Sequence, residues 1–455
     1  MKVSVDVLLR GALWTLGGFG GGQAIRFVSN VILTRMLAPE LFGLMTIVNT
    51  LRTGIELMSD FGIGQNLIYS QNAEEPEFYN TAWTLQITRG LVLFLIILAS
   101  SIPLARFYEL PILVYLLPIT GLGTILSGLT SLAPVFLQKR LQFGKLNVFQ
   151  LFSAAASSTV LVLFCYLSHT IWALVLGGVL GAVIYTVASY SLLTEIKHRL
   201  FIDKRFISEI LNFGKWISLS SVVYFLSMNF DRLYFAKVVP LELLGVYGIA
   251  RSMSDLLGLL AGRLGSGVVF PFISSHSDTP RASLHGGLAP IRVKFLSLAA
   301  VGCSLLVATA DLAIKILYDQ RYQAAGWILP VLVIASWFSI VTSLSESTLL
   351  GLGAPFYMAI SNSLKFVLLL LALPLSFKFG GLAGAVTILP LAEACRYVPL
   401  YLGQRRQGFS FGTQDLSATI GMFLMIGVWE GLRWLSGLGT SFDSFPIGGL
   451  VPVGP

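Results

Sequence analysis

The sequence predicts an all-α polytopic membrane protein, with about 12–13 transmembrane helices in two six-helix lobes. Three observations carry this. Of 455 residues, 55% are hydrophobic and only 11% charged, whereas soluble domains carry about 25% charged residues. Apolar runs of the ~20 residues that a span needs recur along the whole chain. The two halves also share a pattern: Trp14 lies over Trp216, Glu40 over Glu242 and Gly43 over Gly245, with MLAPELFGL over VVPLELLGV.

Taken in order, the runs fall near 11–34, 41–67, 80–103, 112–134, 147–167 and 172–194, forming a first lobe over 1–195. A second lobe over 214–403 holds runs near 213–235, 244–272, 292–314, 327–350, 357–377 and 382–402. A weaker run near 416–436 and a Gly/Pro/Ser-rich tail make up 404–455. In the first run, LGGFGGGQ sets Gly17 and Gly21, and Gly18 and Gly22, four apart, which lets helices approach closely. Between the lobes, KHRLFIDKRFISEILNF alternates apolar and charged residues at helical spacing, so an amphipathic interfacial helix is expected over 196–213.

Six spans per lobe start both halves on the same side. That is a parallel repeat, whose pseudo-two-fold axis runs along the membrane normal and whose site usually lies between the halves. Lys and Arg concentrate in the segments on the N-terminal side, among them Lys139, Arg140, Lys145, Lys197, Arg199, Lys204, Arg205, Arg281, Arg292 and Lys294. By the positive-inside rule the N-terminus is cytoplasmic. Asp6 and Arg10 interrupt the first apolar run and no A-x-A site follows, so no cleavable signal is expected.

The same inventory removes several function classes. A net charge of +8 reports cytoplasmic loops rather than a nucleic-acid partner. Cys165, Cys303 and Cys395 each lie alone in an apolar segment, and the four histidines lack metal-ligand spacing. No HExxH, G-x-S-x-G or P-loop motif occurs, so neither an enzyme nor a cofactor is expected.

What remains unusual is charge inside the spans. The second run carries Arg52, Glu56 and Asp60, four residues apart on one helix face, and the eighth carries Arg251, Asp255 and Arg263. Arg26, Asp231, Arg232, Lys365, Glu393 and Arg396 lie in other runs. Each ion at the centre of a span costs roughly 2.5–3.5 kcal/mol, so these groups face one another or a hydrated cavity, not lipid. Two readings stand side by side. In one, Arg52–Glu56 and Arg251–Asp255 are internal pairs that lock helices together. In the other, Arg26, Arg52, Arg251 and Arg263 line a cavity and bind an anion, phosphate above all, through the bidentate guanidinium fork. Glu56, Asp60, Asp231 and Asp255 then serve ion coupling or pairing, with a proton or sodium as the ion. Arg89 and Arg396 read as snorkelling residues or local pairs.

Several stretches resemble a known family. They are RGALWTLGGFGGGQAIRFVSNVILTRMLAPELFGLMTIV, DFGIGQNLI, VFLQKRLQFGKL, TIWALVLGGVLG and NFGKWISLSSVVYFLSMNFDRLYFAKVVPLELLGVYGIA. Over roughly residues 8–405 the chain is similar to the polysaccharide transporters, or Wzx-type oligosaccharide flippases. Their superfamily also holds multidrug extruders and the lipid II flippase. The resemblance implies two lobes forming a V that opens alternately to each side of a bacterial inner membrane. It implies a polyprenyl-pyrophosphate-linked oligosaccharide as cargo, turned from the cytoplasmic to the periplasmic leaflet, with the polysaccharide polymerase as a candidate partner. The family's positively charged lumen would fall on Arg26, Arg52 and Arg251. The competing expectations are a cation-coupled drug extruder of the same fold, which calls for an acidic cavity, and a membrane glycosyltransferase or polymerase, which calls for a large outer loop.

Overall fold

Proline and glycine set the helix boundaries in the computed structural model, which describes residues 5–59, 62–274 and 280–446. Every regular element among the described residues is helical. Eight described helices are long and apolar enough to cross a membrane, or nine if one bent pair counts as a single span. The chain divides into two units, Met1–Leu226 and Ser227–Pro455. The expected first lobe lies within the first. The second unit takes in the expected second lobe from residue 227 onward, together with the thirteenth run.

The first unit starts with α1 (Val5–Met36) and α2 (Pro39–Met58). Pro39 sits in the first turn of α2, where its missing N–H would have had no partner anyway. The second apolar run is two helices rather than one. α2 ends at Met58, and α3 (Ile63–Tyr69) starts after Gly62, which holds a left-handed φ of 60°. Next come α4 (Pro76–Tyr108), α5 (Leu113–Leu129), α6 (Ala133–Lys139), α7 (Phe143–Leu167) and α8 (Ile171–Ser189). α5 and α6 together account for the fourth run and are bent by 53° at the break between them.

The packing of α4 on α5 shows what the small residues are for. A Cβ on Gly90 would come within 2.5 Å of the Thr124 carbonyl oxygen, and one on Gly128 within 2.9 Å of the Gln86 carbonyl oxygen. The backbones are close enough for the Thr124 hydroxyl to donate to the Gly90 carbonyl at 3.0 Å. The Gln86 amide reaches the carbonyls of Ser127, Gly128 and Thr130 at 2.9, 3.1 and 3.1 Å, covering the open C-terminus of α5. Gly90→Ala has only backbone to push against. It should cost ~1–3 kcal/mol, the usual range for overpacking, read as a lower midpoint in a thermal unfolding scan of the detergent-solubilised protein. An unchanged midpoint would show that α4 and α5 can separate freely.

The linker corrects the expectation of a helix over 196–213. Residues 190–203 form turns and extended chain, and α9 (Lys204–Val238) starts only at Lys204. The reason is tertiary. The backbone N–H groups of the alternate residues Arg199, Phe201 and Asp203 donate to Asn80 Oδ1, Thr84 Oγ1 and Thr81 Oγ1 on α4, at 2.7, 3.0 and 3.1 Å. Side chains of α4 thus take the donors that a helix would need, and the chain lies along α4 as an extended strap. Asp203 then accepts from the Arg205 N–H at 2.8 Å, in the manner of a helix cap, where α9 begins.

The second unit holds the rest of α9, then α10 (Leu241–Leu264), a π-helical turn (Gly265–Val269), α11 (Phe270–Ser274), α12 (Arg281–Leu317), α13 (Ala325–Gly351), α14 (Phe356–Arg406) and α15 (Gly412–Leu435). Gly381 (φ 57°, ψ −150°) breaks α14 where the sequence separates its eleventh and twelfth runs. α13 packs against α10, α12 and α14, so it is the central helix of the unit. α15 is no appendage. Arg292 of α12 meets Asp415 at 2.7 Å, Arg433 meets Asp311 of α12 at 2.7 Å, and Trp337 of α13 donates to Thr419 at 3.1 Å. Arg292 lies buried in α12, one face over the Phe411 ring at 4.9 Å.

Candidate functional site: a basic cavity and a buried charge network

The first unit encloses a cavity of about 400 Å³ among α1, α2, α5, α7 and α8. Its polar wall consists of Arg26, Ser29 and Asn30 on α1, Asn49 and Arg52 on α2, Thr120 on α5 and Ser158 on α7. Leu33, Phe42, Met45, Leu161, Leu174 and Val175 supply apolar wall. Both charged residues that line it are arginines. Helical spacing places them: Arg26, Ser29, Asn30 and Leu33 recur at three and four residues along α1, as Phe42, Met45, Asn49 and Arg52 do along α2. Gly123 of α5 makes room for Arg52, since a Cβ there would sit 3.1 Å from Nη1. Asn30 Oδ1 is buried with no hydrogen-bond partner in the protein.

Glu56 follows one turn after Arg52, and the two pair at 3.5 Å (Nε to Oε1), with each side chain about one-third exposed, 34% and 33%. Arg89 secures the end of the same helix: it donates to the Glu56 carbonyl at 2.8 Å and to Ser59 Oγ at 3.1 Å. That satisfies an open carbonyl where the helix dipole favours a cation. Sequence reasoning read Arg89 as snorkelling or locally paired; its partners here lie on and just after α2, 33 and 30 residues away. Asp60 lies outside the described residues.

Charges of the second unit are arranged differently. Arg251 is buried; its Nε lies 3.1 Å from Asp255 and 3.8 Å from Asp231. Arg232 binds the other oxygen of Asp255 at 2.5 Å, and the Tyr247 hydroxyl donates to Asp231. A second ladder runs through α13 and α14. Lys365 pairs with Glu393, and Arg396 reaches Glu393 at 3.3 Å, Glu346 at 2.6 Å and Asn362 Oδ1 at 3.0 Å. Lys365 and Arg396 are each only 2% exposed.

Among the described residues these ladders hold four acids (Asp231, Asp255, Glu346 and Glu393) and four bases (Arg232, Arg251, Lys365 and Arg396). The charges balance, and five of the eight groups (Asp231, Arg251, Lys365, Glu393 and Arg396) are buried, with Arg232, Asp255 and Glu346 partly exposed. For Arg251 and Asp255 the geometry is therefore that of the internal pair. Arg263 is exposed in the last turn of α10. Sequence reasoning missed Glu346, whose signal was a lone acid in the apolar run 327–350. Among the described residues no group of three or more His, Cys, Asp or Glu is placed to hold a metal ion.

Comparison with known proteins fits this architecture. The chain is 26% identical over 300 residues to the teichuronic acid biosynthesis protein TuaB of Bacillus subtilis, a match spanning 66% of this chain and 62% of that relative's length. It is 22% identical over 352 residues to the succinoglycan biosynthesis transport protein ExoT of Rhizobium meliloti, spanning 77% of this chain and 70% of that one. The solved structure of the lipid II flippase MurJ, in its inward closed conformation, superposes with a TM-score of 0.64 at 13% identity, covering 95% of this chain and 92% of the other. At that identity the likeness concerns the fold. Residues 32–326 match the family described as polysaccharide biosynthesis proteins, and this polytopic membrane protein belongs to that family.

Proposed function

We propose that the protein carries a polyprenyl-pyrophosphate-linked oligosaccharide from the cytoplasmic to the periplasmic leaflet of a bacterial inner membrane, for assembly of a surface polysaccharide, with its own N-terminus in the cytoplasm. One observation carries the reading: two arginines, Arg26 and Arg52, meet in a cavity whose other polar groups are amides and hydroxyls. Guanidinium forks suit phosphate oxygens, and amides and hydroxyls suit sugar hydroxyls. The names of the relatives, concerned with teichuronic acid and succinoglycan biosynthesis, support the same class of cargo. A carrier for cationic drugs would call for carboxylates in this position.

Release follows from the Arg52–Glu56 pair. Glu56 competes with the pyrophosphate for Arg52. Neutralisation of Glu56 by a proton or by sodium frees Arg52 for the cargo. Loss of the ion returns Arg52 to Glu56 and helps expel the product. The balanced network of the second unit acts as a brace in this scheme, and Arg251, held by two carboxylates, has less to offer an anion than Arg52. A polymerase on the far side would consume the delivered lipid.

The test is a flipping assay in proteoliposomes containing a fluorescent polyprenyl-pyrophosphate oligosaccharide and an impermeant oxidant of its sugar. The expected result is protein-dependent exposure of inner-leaflet label, accelerated by an imposed proton or sodium gradient. Exposure no faster than in protein-free vesicles, alongside efflux of cationic dyes, would replace the reading with drug extrusion.

A further inference from the structure

The extended strap before α9 has a surface of its own. Its backbone is fastened to α4 by three donors, so the side chains of Leu200, Phe201 and Ile202 are left outward, 73%, 41% and 58% exposed. Basic residues flank this apolar triplet. Lys197, Arg199 and Lys204 are exposed, and their side chains make no hydrogen bond or ion pair among the described residues. Neighbouring bases of the same unit are engaged by the protein. Lys139 donates to the carbonyls of Leu67 and Ser70, Lys145 donates to Leu192, and Arg140 binds Glu74 and Glu195. Arg205 closes on Asp203 at 2.6 Å. Three exposed cations therefore surround three apolar side chains, with no partner among the described residues.

The depth of the strap follows from the length of α4. At 1.5 Å per residue its 33 residues span ~50 Å, well beyond a hydrocarbon core of ~30 Å. The strap is tied to Asn80, Thr81 and Thr84, on the first turns after Pro76, and so lies at one membrane surface. Aromatic rings mark the same level. Tyr79, Trp83 and Tyr190 surround His198 with ring centroids at 6.4, 5.0 and 5.4 Å, as expected of an interfacial belt.

We infer that residues 197–204 are a binding surface for anionic phospholipid. Leu200, Phe201 and Ile202 enter the boundary between headgroups and acyl chains, while Lys197, Arg199 and Lys204 take the phosphates. Charge complementarity selects this occupant over a soluble protein. Three cations without a partner among the described residues, beside apolar side chains at headgroup depth, match a surface that is negative and greasy at once. The strap leads directly into α9, so its attachment would hold the start of that helix at the bilayer. The inference is independent of the cargo.

The experiment uses the full chain with Cys165, Cys303 and Cys395 replaced by serine and a fluorophore on Leu200→Cys. Ile202→Cys serves as a second site should the first disturb folding, and Thr194→Cys as a reference. Each is placed in nanodiscs of phosphatidylcholine with or without phosphatidylglycerol, and quenched by shallow nitroxide lipid or by aqueous iodide. Labels at 200 and 202 should be quenched by lipid and shielded from iodide relative to 194. Removing phosphatidylglycerol, or substituting Lys197→Gln, Arg199→Gln and Lys204→Gln together, should lower lipid quenching by about a factor of two. Iodide access equal to that of the reference would overturn the inference, as would lipid quenching indifferent to both phosphatidylglycerol and the triple substitution.

Discussion

Replacing Arg396 by alanine is expected to lower the stability of the second unit by about 3–5 kcal/mol, the cost of leaving buried charges without their partner. The whole stability of an ordinary domain is ~5–15 kcal/mol, so the variant should accumulate poorly and melt far below the parent. The size of the effect comes from what the guanidinium holds. It is 2% exposed and engages Glu346, Glu393 and Asn362 together. Its removal leaves the largely buried Glu346 carboxylate without its cation and takes one of two cations from Glu393. Lys365→Met alone should behave similarly, since Lys365 neutralises Glu393. Lys365→Met with Glu393→Met removes one charge of each sign and leaves Arg396 paired with Glu346. That double variant should recover most of the loss, because a buried pair replaced whole by apolar groups is often neutral. The readout is the thermal midpoint of all four proteins in the same detergent. Equal midpoints for the single and double variants would show that the ladder is not a coupled unit.

Arg52→Ala is expected to do the reverse: little change in stability and a large loss of transport. Its pair with Glu56 is 3.5 Å long and a third exposed, and such pairs contribute ~0–1 kcal/mol. A lost charge-assisted hydrogen bond to phosphate costs ~1.5–3 kcal/mol, roughly a tenfold to hundredfold drop in affinity. Polysaccharide export should fall accordingly in complemented cells at unchanged protein level. Arg52→Lys should keep part of the activity, because it retains the charge and loses the fork. Arg26→Ala should fall in the same class. Export at the parental level in both alanine variants, with normal protein abundance, would remove the arginines from the cargo site.

These two predictions separate groups that look alike in the sequence. Arg52–Glu56 and Arg251–Asp255 share the same four-residue spacing, which makes either pair legible from the chain alone. Spacing along one helix does not say what faces it from another. Arg52 meets Gly123 and a cavity, whereas Arg251 meets Asp231 from α9. Arg26 and Arg52 were legible only as two of four arginines within spans; that these two line one cavity depends on how α1 and α2 pack with α5, α7 and α8. Glu346 was not, since nothing local marks a lone acid as the partner of a residue 50 positions away. The all-helical, polytopic character was legible because apolar length is a local property, but how each run is divided was not: the second breaks into α2 and α3, and the fourth bends by 53°. The strap was misread for the converse reason: residues 200–211 carry a helical apolar period, yet Asn80, Thr81 and Thr84 of α4 outcompete it for backbone donors. How α15 is tied to the rest of the unit was not legible, because the partners of Asp415 and Arg433 lie on α12.

The central claim is that the cavity of the first unit holds the pyrophosphate of a lipid-linked oligosaccharide through Arg26 and Arg52. Direct binding in nanodiscs tests it, comparing polyprenyl pyrophosphate with the uncharged polyprenyl alcohol on the parent and on the Arg26→Gln/Arg52→Gln protein. The account predicts a clear preference of the parent for the pyrophosphate and an affinity about tenfold or more weaker in the double variant, with the alcohol indifferent to the substitutions. Equal pyrophosphate affinity in the two proteins would contradict it.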